Sequence, residues 1–172
     1  MKRAILCSTA LITISFAGSA AAQDSTPPGQ SAASPTGVKT ARLDDVEWRP
    51  GPFPGSSIAV LAGDPKQGMH HTYLKLADGA YVAPHWHSTD EYVTVISGTM
   101  LLGIGAKAAH DQTRLYGPGA FVFMPAKTPH YVWAKGQAVL SQTRSGPADF
   151  HWIDPADDPA RQTTDANEAK KQ

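Results

Sequence analysis

The strongest constraint in this sequence is a periodicity it lacks. In its central part no window of about ten residues or more repeats apolar side chains at the helical period. Short runs rich in β-branched and aromatic residues recur instead, each closed by glycine, proline or aspartate. Ser57 to Ala62 is apolar, and Met69 to Leu76 alternates loosely through Tyr73, Leu74 and Leu76. Asp78-Gly79 is a turn dipeptide ahead of Ala80 to Ala83, and Glu91 to Ile96 is turned by Ser97-Gly98 into Thr99 to Ile104. Gly117-Pro118-Gly119 precedes Phe121 to Met124, and His130 to Trp133 and Ala138 to Thr143 complete the series. Strands this short, with turn chemistry about every eight to twelve residues, predict an all-β domain built as an antiparallel sandwich or barrel.

The 172 residues, 41% of them hydrophobic, suffice for one sizeable core and are too few for two ordinary domains. Residues 1–22 read as a secretory signal: Lys2 and Arg3, an uncharged apolar stretch from Ala4 to Phe16, then the small residues Ala20-Ala21-Ala22 before Gln23. The apolar run is too short for a lasting membrane anchor, so the expectation is a secreted or periplasmic protein cleaved after Ala22. Residues 23–40, rich in Ser, Thr, Pro, Gly and Ala, read as a flexible linker. The folded domain is expected over residues 41–153, and the polar, proline-interrupted stretch 154–172 as a tail. The one cysteine, Cys7, falls in the expected signal, which leaves only nitrogen and oxygen donors for a metal. Fifteen basic residues balance fifteen acidic ones, and no basic stripe marks a nucleic-acid partner.

The residues that carry chemistry are His85, His87, Glu91 and His130. Residues i and i+2 of a strand share a face, so His85 and His87 can reach one point. Glu91 follows the polar stretch Ser88-Thr89-Asp90, which can bend the chain and return the carboxylate to the same centre. A neighbouring antiparallel strand could bring His130 opposite. Three imidazoles and a carboxylate suit a divalent first-row ion with positions left for water or substrate, and do not suit a closed thiolate zinc site. His70, His71, His110 and His151 stand singly and are read as packing or surface residues. Trp86, between two histidines, is expected to face away from them. Tyr92, Tyr131 and Trp133 read as core or sheet-face residues, and Asp90 either as a hydrogen-bond partner of a ligand imidazole or as a turn residue.

The segment from Gly79 through His85-Trp86-His87 and Glu91 to Gly98 resembles the first cupin motif, with every spacing kept. Gly119, Pro125 and His130 match the second motif in part. Lys127 replaces a glycine there, and Ala134 stands where many cupins have asparagine. A glycine in such a turn supplies positive φ, so Lys127 predicts a turn of different shape, and its charge sits either in solvent or at the barrel mouth. The resemblance spans about Ser57 to Thr143. It implies a single antiparallel cupin barrel of the double-stranded β-helix or jelly-roll kind, holding one divalent ion (Fe, Mn, Ni, Cu or Zn) on His85, His87, Glu91 and His130.

Cupins run many reactions, so the resemblance implies a range of functions. The first expectation is a metal-dependent, dioxygenase-like oxidoreductase acting on a small enolic or phenolic compound, with Glu91 as the carboxylate that leaves the metal to act as base. The alternatives are a non-oxidative decarboxylase, lyase or isomerase using the metal as Lewis acid, and a non-catalytic module that binds a metal or small ligand. A bare edge strand is hazardous, so Ser57 to Ala62 is a candidate for pairing in a homodimer, the alternative being that it extends its own sheet.

Overall fold

The structure is a computed structural model and describes residues 37–161. The expected signal, nearly all of the linker and the end of the tail lie outside the described residues. Nine strands follow one another: β1 (Arg49–Pro50), β2 (Ser56–Gly63), β3 (His70–Leu76), β4 (Tyr81–Trp86), β5 (Glu91–Ile104), β6 (Arg114–Tyr116), β7 (Phe121–Met124), β8 (His130–Arg144) and β9 (His151–Trp152). Single turns of 3-10 helix lie at Leu43–Asp45, His110–Gln112 and Pro155–Asp157. No helix among the described residues is long and apolar enough to cross a membrane.

All strand pairs are antiparallel, and the sheet curls around two long members. β5 and β8 pair from Glu91↔Arg144 at one end to Ile104↔His130 at the other. A straight ladder of that length would hold its ends about 40 Å apart. Here a carboxylate oxygen of Glu91 lies 3.8 Å from Nε2 of His130. The ladder therefore folds over on itself. The fold sits at register shifts between Val95 and Ser97 and between Ser97 and Thr99, beside Gly98 and Gly136, which both take positive φ. A Cβ on Gly98 would stand 2.1 Å from the carbonyl oxygen of Gln137, so the two long strands can bend together only with glycine there.

That bend corrects the sequence reading. Ser97-Gly98 does not end a strand, and 91–96 and 99–104 are one strand, as are 130–133 and 138–143. Turn chemistry inside a long, sharply coiled ladder has the same composition as turn chemistry between strands. The short strands β1, β6 and β9 carry too few residues for an alternation to be read.

Around this spine β3 pairs the far half of β8, β4 its near half, β7 and β6 the two halves of β5, and β9 the end of β4. β2 is bonded to β3 on one side and on the other only to β1, at Ser57 and Ile58. The barrel interior is filled by Leu74, Leu76, Val82, Val93, Val95, Met100, Leu102 and Leu140. β3 shows the strict alternation of a strand with one face inward: His70, Thr72, Leu74 and Leu76 are buried and the residues between them are not.

Trp86 turns outward and stacks on His151 at 3.8 Å. Tyr131 is buried and donates to the carbonyl of Ala109, Trp133 stacks on Tyr81, and Tyr92 is exposed. None of the three lines the barrel cavity. Ala134 exchanges backbone hydrogen bonds with Gly79 and Ala80 and needs no polar side chain.

Candidate metal centre

β4 supplies His85, His87 directly follows the end of that strand, and β8 supplies His130, which sits in register with His85. All three are 3% exposed, and their ligating atoms lie within 4.8 Å of one another. Each ring is oriented by the main chain. Nδ1 of His85 bonds the carbonyl of Ala83 at 2.7 Å, that of His87 the carbonyl of Asp149 at 2.5 Å, and that of His130 the carbonyl of Thr128 at 3.0 Å. A carbonyl oxygen only accepts, so each Nδ1 carries the proton and each Nε2 keeps its lone pair. Three buried Nε2 atoms thus converge on one place, that of His87 also accepting from Nη2 of Arg144. Burial pushes the His85 ring down to about 2, helped by its histidine neighbours. Burial, and then the charge of Arg144, takes His87 down to about 4, and His130 is lowered by burial as well. The rings are therefore neutral at ordinary pH, as metal ligation requires.

Glu91 stands beside them and divides its carboxylate. Oε1 accepts from Nε and Nη2 of Arg144 at 3.0 and 2.7 Å and from Nε2 of Gln142 at 2.9 Å. Oε2 faces Nε2 of His87 at 3.7 Å and of His130 at 3.8 Å. Burial would raise the Glu91 carboxyl, but Arg144 and then the two histidines outweigh it and hold it at about 2. All four residues singled out in the sequence are brought together.

Arg144 is the residue the sequence reading missed. It is 5% exposed, pairs with Glu91 across β5–β8, and donates through Nη2 to Nε2 of His87 at 3.1 Å. A signal for it existed. A carboxylate at an inward strand position needs a cation, and Arg144 is the residue that directly follows the expected strand 138–143.

The turns around the site carry the two departures from the motif. Lys127 adopts φ 61°, so the turn keeps its left-handed residue without a glycine, against the expectation of a changed shape. Its N–H bonds the carbonyl of His87 at 2.8 Å while its side chain is exposed to solvent. Asp90 accepts from the N–H of Ala126 at 2.8 Å and so is a turn residue. The segment before β9 closes the other side. The Asp149 side chain takes the N–H and hydroxyl of Ser88 and reaches His151, while Phe150 lies 5.1 Å from the His85 ring and 4.9 Å from that of His87.

The histidines open onto a cavity of about 300 Å³. Its walls are mainly aliphatic, among them Leu76, Val82, Met100, Leu102 and Val132. His70 also lines it, which the reading of that residue as isolated did not anticipate. Its Nδ1 bonds the carbonyl of Gly68 at 2.9 Å, and its Nε2 has no protein partner among the described residues.

These features can be set beside known proteins. Residues 72–141 match the Cupin_2 family, described as the cupin domain. No curated protein matches the sequence. The polyketide cyclase RemF from Streptomyces resistomycificus has a similar structure, with a TM-score of 0.57, 21% identity, and coverage of 74% of this chain and 93% of that one. KdgF from Halomonas sp. superposes with a TM-score of 0.50 at 21% identity, over 63% of this chain and 92% of that one. The cupin domain of Cnp3 from Schizosaccharomyces pombe gives 0.51 at 12% identity, over 62% and 73%. At these identities the likeness is one of fold. Motif spacing, strand topology and the family match agree on a cupin domain over residues 72–141.

Proposed function

We propose that this chain is a mononuclear metal enzyme that oxidises a small, largely apolar enolic or phenolic compound inside the barrel. One observation carries the reading: three Nε2 atoms, each fixed by a bond from Nδ1–H to a main-chain carbonyl, meet beside a largely apolar cavity. His85, His87 and His130 would hold a divalent first-row ion, with Oε2 of Glu91 as the fourth donor. When bound, the ion supplies Lewis acidity and, for a redox-active metal, access to oxygen chemistry.

The chain's own groups define what else happens there. The largely aliphatic wall favours an apolar substrate body. Arg144 and Gln142 hold Glu91 in place through Oε1 and keep it ionised. So held, Glu91 is a weak proton acceptor. It suits the metal or a hydrogen-bonded hydroxyl better than it suits full proton abstraction, which sets it apart from the detachable base first expected.

A second reading rests on His70. A buried imidazole with an unpartnered Nε2 in the cavity wall could move a proton during lyase or isomerase chemistry. Oxygen uptake by protein loaded with Fe²⁺, Mn²⁺, Ni²⁺ or Cu²⁺, tested on a panel of enols and phenols, separates the two. Uptake that His85→Ala abolishes supports the oxidative reading. Turnover that proceeds equally without oxygen and falls in His70→Phe overturns it in favour of the second.

A further inference from the structure

The cavity has one polar wall that the metal centre uses only in part. His70 and Thr72 on β3 point inward, and they pair in register with Arg144 and Gln142 on β8. All four line the cavity, and all the other strand residues that line it, apart from the metal-site residues, are apolar. Two cross-strand pairs thus make a compact polar patch in an aliphatic chamber. Much of its bonding capacity is unspent. Arg144 uses Nε and Nη2 on Glu91 and His87, and its Nη1 has no protein partner among the described residues. Gln142 uses Nε2 on Glu91, and both Gln142 and Thr72 line the cavity. Polar groups that line a cavity in this way can be met by a ligand or by water.

Charge indicates which ligand. Without a metal, Glu91 and Arg144 neutralise each other and the histidines are neutral. A divalent ion on the histidines then leaves the buried site with two units of positive charge, because Arg144 cancels the carboxylate that would have offset half of the metal's charge. A buried, uncompensated charge of that size is strongly unfavourable. An anion entering the chamber lowers it, and a planar guanidinium favours a carboxylate.

Resting on the metal-enzyme reading above, we infer that the patch of His70, Thr72, Gln142 and Arg144 is a subsite for the carboxylate of a small organic acid. The acid's apolar remainder lies against the aliphatic wall, Arg144 Nη1 and the Thr72 hydroxyl donate to its head, and Arg144 is a specificity residue.

The test uses the full chain loaded with Co²⁺ and two probes of nearly equal shape, phenylacetate and phenylacetamide. The visible Co²⁺ absorption first reports metal binding. Its absence in the parent protein would defeat the metal reading, and the anion preference could still be measured on the metal-free protein. Calorimetry then compares the probes, with phenylacetate expected to bind at least about tenfold more tightly. A carboxylate that merely ligates the metal would show the same preference, so variants decide. Because Arg144→Gln alone strands a buried carboxylate, Glu91→Gln is compared with Glu91→Gln/Arg144→Gln, in both of which Co²⁺ absorption is checked. The preference should persist in the first and fall to within about twofold in the second, and Thr72→Val should weaken phenylacetate alone. Equal binding of the two probes, or a preference unchanged in the double variant and in Thr72→Val, overturns the assignment.

Discussion

Replacing Arg144 by methionine tests the most unusual feature of the site, the ion pair sealed inside the barrel. Glu91 is 3% exposed, and two of the three hydrogen bonds to its Oε1 come from Arg144. Arg144→Met leaves that carboxylate with one neutral donor, Gln142, in an aliphatic surrounding. Breaking a buried pair from one side costs about 3–5 kcal/mol. Removing both charges, as in Glu91→Gln/Arg144→Met, should cost only about 1–2 kcal/mol, since a buried pair is often replaced by neutral groups at little loss. With Glu91→Gln alone costing about 1 kcal/mol or more, the coupling energy of the cycle is at least about 2 kcal/mol. Urea unfolding of the chelator-treated protein, followed by tryptophan fluorescence, measures it. The pH dependence gives a second handle. Without Arg144, burial raises the Glu91 carboxyl in the folded state above its unfolded value, so the variant is least penalised in acid and loses stability as pH rises through the new value. A single-variant loss below about 1 kcal/mol, or a double variant as unstable as the single, would refute the claim that the pair is desolvated and coupled.

In the metal-free parent protein the sign is opposite. The depressed folded-state values of His85, His87 and His130 mean that the unfolded chain binds more protons below about pH 6.5. Stability should fall by roughly 2–3 kcal/mol per pH unit between about pH 6 and 4, with Glu91 adding to the loss below about pH 4.5, and a flat urea midpoint across that range would contradict it. Saturating Zn²⁺ should raise the thermal midpoint of the parent but not of His85→Ala, as read by scanning calorimetry. Lys127→Gly should stabilise by up to about 1 kcal/mol, because φ 61° suits glycine, whereas Lys127→Val should destabilise by more than that. Gly103→Ala places a Cβ 2.1 Å from two ring atoms of Tyr131, which is 1% exposed and cannot retreat, so a loss of about 1–3 kcal/mol in urea unfolding is expected.

What could be read in the sequence depended on whether a feature was local. The strand runs of β2, β3 and β7 were legible because each alternates or ends within a few residues of itself. The convergence of His85 and His87 was legible from a spacing of two, and that of Glu91 and His130 from the resemblance to a motif. The folding over of the β5–β8 ladder was not, since bend and turn use the same residues and only the pairing of Glu91 with Arg144 distinguishes them. Arg144 and His70 were missed for a related reason. Each gains its meaning from a partner strand, and a histidine or arginine seen alone at a strand end reads as surface.

The main-chain carbonyl of Asp149 sets the proton on His87, and Phe150 roofs two of the three rings. Both belong to the segment that enters β9, the last strand among the described residues, while His87 lies 62 residues before Asp149. The pocket for the ion therefore has an order of assembly. A chain folded only through β8 keeps the carbonyl partners of His85 and His130 but leaves His87 without its Nδ1 acceptor and without the Phe150 cover. Tight metal capture becomes the closing event of folding, so a shortened chain ending before Asp149 should acquire metal weakly and release it readily.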